Sequence, residues 1–227
     1  MATDGRMAMP TEPLSPDALL TLVQWLSPAY PTGAFSYSQG LEWAVHSGDI
    51  DNAATLESWL SAVLEFGAGR NDAILLVCAY AADGSEALHG LNELSRALSP
   101  SCERLLETTQ QGAAFAATAR ATTGLDIPDL TLPVAIGCAA QKMGLPLAAT
   151  VQVFLHAMMS NLVSAAVRLI PLGQTDGQTC LTRLAPLCIQ TAEAALVSGP
   201  DDLGSATFAA DIASMKHETQ HVRLFRS

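Results

Sequence analysis

From Pro146 to Leu172 the chain reads PLAATVQVFLHAMMSNLVSAAVRLIPL, with Arg168 as its one charged residue. A stretch this long and apolar is long enough to cross a bilayer. However, Gln152, His156, Ser160, Asn161 and Ser164 interrupt it, and Arg168 closes it. Polar groups at that density are costly against lipid, so the segment reads as a core helix and not as a membrane span. A helix apolar on most sides needs neighbours on most sides. The rest of the chain must supply them, with this helix at the centre of the bundle.

The rest is suited to that task. Alanine and leucine dominate, alternating β-branched runs are short, and breakers separate long helix-compatible stretches. The expected fold is all-α, a single-domain helical bundle of roughly eight to ten helices. A first helix runs from Pro16 to about Ser27, capped by Ser15, and SPAYPTGAF ends it. A second carries SYSQGLEWAVHSG. The stretch from Asp51 to Asp83 reads as one long helix, bent near Gly67–Gly69 and capped by Asp51 or Asn52. Short helices around Glu86–Leu98, then Pro100–Thr123, Leu132–Met143 and the apolar segment follow. PLGQTDGQ reads as a loop, Pro186 as a kink or a new start, and the last helix begins near Thr207 and includes HETQH. Residues 1–15 read as a loose tail without a secretory apolar core, 16–227 as one domain, and about 214–227 as a docking tail.

Composition narrows function. The net charge of −11 opposes nucleic-acid binding. Five cysteines without a C-x-x-C pair argue against a disulfide framework and suit the cytoplasm. No paired-carboxylate, Cys/His or Ser/His/Asp constellation emerges, so no catalytic residue is assigned and the chain reads as a non-enzyme.

One motif tests that conclusion. HETQH, at 217–221, matches the H-E-x-x-H signature of zinc peptidases. On a helix His217 and His221 share a face, with Glu218 as a general base. A catalytic zinc also needs a third protein ligand. Only VRLFRS follows, with no Asp, Glu or His. A two-histidine metal contact through His217 and His221 is the residual reading. Leu224 and Phe225, set between Arg223 and Arg226, instead suggest a tail that docks. Two further segments stand out: LSPAYPTGAFSYSQGLE, a turn and helix start, and RLIPLGQTDGQ, read as a helix connection. His156 reads as a lone core histidine, His46 and His89 as solvated, and Asp72 as a helix-dipole contact.

Together LSPAYPTGAFSYSQGLE, RLIPLGQTDGQ and HETQHVRLFRS resemble the UreF family of urease accessory proteins in order, spacing and total length. The resemblance spans about Leu19 to Ser227. It implies an all-α homodimer without catalytic activity or a tightly bound cofactor. It also implies partners: UreD (UreH in some species), the GTPase UreG, apo-urease and, indirectly, UreE. In that setting the complex handles nickel and assembles the urease metallocentre. Carried over by position, the partner-binding residues are Phe35, Ser38, Glu42, His217, Glu218, Gln220, Arg223, Leu224, Phe225 and Arg226. His221 departs from the family pattern, which often has tyrosine there. The expected mechanism has Arg223 anchoring the docked tail against the corner near Phe35, giving UreG a composite surface. The rival readings are a helical adaptor or GTPase regulator unconnected with urease and, furthest from the residues, a zinc peptidase.

Overall fold

The computed structural model describes residues 14–227. The expectation for residues 1–15 therefore lies almost wholly outside the described residues. Ten α-helices make up the body: α1 (Pro16–Trp25), α2 (Leu41–Ser47), α3 (Ala53–Phe66), α4 (Ala68–Ala81), α5 (Gly84–Ala97), α6 (Cys102–Thr123), α7 (Leu132–Lys142), α8 (Leu147–Leu169), α9 (Gln174–Ala195) and α10 (Phe208–His217). There is no strand among the described residues. The fold is all-α.

The centre of the bundle is not α8, as the apolar stretch suggests, but the pair α4 and α7. Every residue from Asn71 to Val77 and from Pro133 to Ala140 is buried. Small side chains explain the tight pairing. A Cβ added at Gly137 would lie 2.3 Å from the carbonyl oxygen of Leu76, so only glycine lets the two backbones approach so closely. α8 is half buried over its most apolar window, although it alone among the described helices is long and apolar enough to cross a membrane. It packs on α9, α4 and α2 with one side. The other side leaves His156 and Ser164 exposed, so His156 is a surface residue and not a core histidine.

Local chemistry sets the boundaries. Ser15 caps α1 by accepting from the Ala18 amide at 3.2 Å, with Pro16 in the first turn. Asn52, not Asp51, caps α3 in a capping box with Thr55. The expected bent helix is two helices. Gly67 is extended between them, and the amide of Ala206 donates to the freed Phe66 carbonyl at 2.8 Å. The RLIPLGQTDGQ loop is also shorter than expected. α9 already begins at Gln174, with Asp176 accepting from the Gly173 amide, and continues through Pro186.

The second expected helix contracts most. Only Leu41–Ser47 is α-helical, after a 3-10 turn over Ala34–Ser36. Gly33, Gln39 and Gly40 take positive φ, and Gln39 is the one non-glycine to do so among the described residues. Glycine at 40 is required twice over, by its φ of 79° and because an added Cβ would lie 2.5 Å from the Ser214 nitrogen. Residues 33–40 therefore form a fixed irregular corner against α10.

Candidate functional site: a tail seated on three carboxylates

α10 ends at His217, so HETQH is not helical throughout. Glu218 caps that end, and a turn closed by Gln220 N donating to the His217 carbonyl at 3.0 Å redirects the chain. His217 and His221 therefore do not share a helix face. His217 is fully buried, while His221 is exposed. Beyond the turn, residues 224–227 run back across the corner at 33–42.

Glu42 is the centre of this seat. It sits in the first turn of α2, and Gly40 brings that turn against α10. Its Oε1 accepts from the Leu224 amide at 2.7 Å and its Oε2 from the Phe225 amide at 2.9 Å. The same Oε2 lies 3.3 Å from Nε2 of His217. On the other side of that ring, Nδ1 lies 2.6 Å from Oε2 of Glu103 in α6. Both imidazole nitrogens thus face carboxylates, and neither is open to a metal. No group of three or more metal-ligating side chains has the geometry to hold an ion among the described residues.

The second carboxylate, Glu103, also takes Arg223, whose Nη1 donates at 2.6 Å. The third, Glu107, lies one turn further along α6. Its Oε2 accepts from the Ser227 hydroxyl at 3.0 Å, and its Oε1 accepts from Gln39 and Gln111. Glu107 is buried with Arg104 3.7 Å away, and Arg104 donates to Asp72 at 2.7 Å. Asp72 is thus an ion-pair member, not a helix-dipole contact. Burial pushes its carboxyl upward, against the opposing pull of Arg104.

The corner also binds the tail backbone. The Ser38 amide and hydroxyl both donate to the Ser227 carbonyl, the amide at 2.8 Å. The Arg226 amide donates to the Ser36 carbonyl at 2.8 Å. Phe225 is the apolar anchor, only 4% exposed. Arg168, at the end of α8, lies 4.3 Å above its ring and donates to the Phe35 carbonyl at 2.9 Å. All three distinctive sequence segments therefore meet at one place. Hydrogen bonds to charged groups contribute about 1.5–3 kcal/mol each. Burial of the Phe225 ring adds about 1.5–3 kcal/mol.

The structure places the expected site residues in different settings. Arg223 pairs with α6 and not with the corner near Phe35. The Phe35 side chain is 63% exposed and only its carbonyl is engaged. Ser38 and Glu42 are buried against the tail, so they position it. Glu218 Oε1 accepts from the Cys102 amide at 2.7 Å, closing the start of α6. Gln220 bonds only within its turn, donating to the Val222 carbonyl at 3.0 Å. Leu224 seats its amide and exposes its side chain. Arg226 stacks 5.5 Å from the Tyr37 ring. Sequence reading missed Glu103, Glu107 and Arg168. The two glutamates, four apart on a helix, look like ordinary solvated charge. Arg168 lies in a segment already singled out, but its reach across the fold has no local signal.

Fold and site together define an all-α protein whose polar cluster of carboxylates seats its own tail. Comparison with known proteins says which family it belongs to. A family model described as UreF matches residues 50–185. A urease accessory protein UreF of Cereibacter sphaeroides is 55% identical over 210 residues, covering 92% of this chain and 99% of its own length. The UreF of Bradyrhizobium diazoefficiens is 54% identical over 92% of both chains. That of Ruegeria pomeroyi is 48% identical over 97% of this chain and 100% of its own. The chain belongs to the UreF family of urease accessory proteins, non-catalytic factors of urease maturation. The peptidase reading and the adaptor unconnected with urease are both set aside.

Proposed function

We propose that this chain is the adaptor that joins UreD (UreH) to the GTPase UreG on apo-urease during nickel metallocentre assembly. The observation that carries the reading is the seated tail. Three carboxylates, Glu42, Glu103 and Glu107, commit four hydrogen bonds to residues 223–227, far more than a free terminus requires. The seat fixes a composite surface of corner and tail, to which UreG is recruited. UreD contributes to holding it. Nickel passes through the assembled complex, with UreE supplying it indirectly, and is not held tightly by this chain. The five free cysteines suit a cytoplasmic setting.

The adaptor acts as a homodimer. Support comes from the open side of α8, where Val153, His156, Ala157, Ser160 and Ser164 are exposed or half-exposed and no residue from Leu147 to Val167 is charged. On the neighbouring α1, Leu19, Leu20 and Val23 are exposed. An uncharged face of this kind on so acidic a protein is a protein-contact surface.

The test is co-expression with UreD, UreG and urease, reading urease activation and UreG pull-down. A chain ending at His217 should stay folded yet activate no urease. Arg223→Ala should retain UreD and lose most UreG, since it removes the tie to Glu103. Normal UreG capture by both variants would overturn the reading.

A further inference from the structure

We infer that the partner face meeting the seated tail is acidic with an apolar centre. This rests on the recruitment reading above and names the chemistry of that partner. The chain carries a net charge of −11, so each of its cations has carboxylates to choose from. Arg96, Arg104, Arg120, Arg183 and Arg223 each pair with one. Among the described residues Arg70, Lys142, Arg168, Lys216 and Arg226 do not, and three of these five, Arg168, Lys216 and Arg226, lie on or beside the tail. Arg226 lies on it, Arg168 covers the Phe225 ring, and Lys216 precedes the buried His217. Apolar side chains are exposed in the same corner: Phe35, Val222 at 85% and Leu224 at 60%.

Leu224 is informative because its amide is fixed on Glu42 at 2.7 Å. Its side chain is therefore held outward at a set position, not waved on a frayed end. Unpaired cations around fixed, exposed apolar groups complement a surface of carboxylates around an apolar patch. The rest of this acidic chain repels such a surface. Charge thus selects the docking orientation before the apolar contact forms.

The test measures association of the full chain with UreG in the presence of UreD, at low and high salt. Lys216→Gln with Arg226→Gln should slow association on the order of tenfold at low salt. Wild type and variant should converge once salt shortens the screening length to about 3 Å. Restoring a cation with Arg226→Lys should recover the rate. Association that ignores both salt and the double variant, but is lost in Leu224→Ala, overturns the acidic-partner inference and leaves recruitment standing. If the wild-type chain fails to bind UreG at either salt, recruitment falls and this inference with it.

Discussion

The α4–α7 centre and the tail corner are both buried, yet opposite means hold them. In the centre, apolar side chains pack around a close backbone approach, with Gly137 of α7 set against Leu76 of α4. Its stability comes from burial and dispersion, which no water molecule replaces. In the corner, Glu42, Glu103 and Glu107 hold a strand of backbone and one phenylalanine. Each of those polar bonds has a counterpart in water when the tail leaves, so its net contribution is a few kcal/mol at most. The centre therefore defines the fold, whereas the corner is a latch expected to open without unfolding it.

The largest expected effect breaks the centre. Gly137→Val places a Cβ 2.3 Å from a carbonyl oxygen that cannot move without shifting α4. A loss of about 3 kcal/mol or more is expected. Thermal unfolding should show a midpoint lowered by about 6–12 °C. An unchanged midpoint would mean that the two helices slide freely and that the centre is not close-packed.

A smaller effect should open the latch alone. Glu42→Ala strands the Leu224 and Phe225 amides and one face of the His217 ring. About 3 kcal/mol of tail docking is lost, which is roughly a hundredfold in the docking equilibrium. Hydrogen exchange should accelerate by about that factor at Leu224 and Phe225, while amides in α4 keep their protection. Equal acceleration in both regions would contradict a separable latch.

The two regions also differ in how plainly the sequence announces them. The all-α architecture was legible from composition and breaker placement, and Ser15 and Asn52 act as the caps their positions predict. What misleads is length: the longest apolar run, α8, reads as the centre, yet it keeps one side uncovered. Shorter α4 and α7 are central because Gly137 lets α7 seat directly on Leu76 and Ala79 of α4, a property of the pair and not of either sequence. In the corner, the motifs located the right segments, since a docked tail and a glycine-rich turn are local patterns. Their partners were not legible. Glu103 and Glu107 become tail ligands only because α6 runs beneath the corner, and Arg168 only because α8 ends beside Phe225. HETQH misleads for the same reason: its spacing reads as helical, but the chain turns after His217.

The smallest expected effect concerns His221. It is exposed beyond the turn, and none of the tail's anchoring bonds involves its side chain. Its match to the peptidase pattern depends on a shared face with His217, which the end of α10 removes. His217 is also closed to metal, with Glu103 at 2.6 Å on one nitrogen and Glu42 at 3.3 Å on the other. His221→Ala should therefore leave tail exchange and urease activation within about twofold of wild type, as befits an exposed residue without partners. His217→Ala should disturb the latch, because it leaves two inward-facing carboxylates without the group between them. Equilibrium dialysis against Ni²⁺ separates the cases. If His221→Ala removes a bound ion that the wild-type chain retains, the tail must leave its seat to bind metal, and the corner would be a carrier as well as a latch.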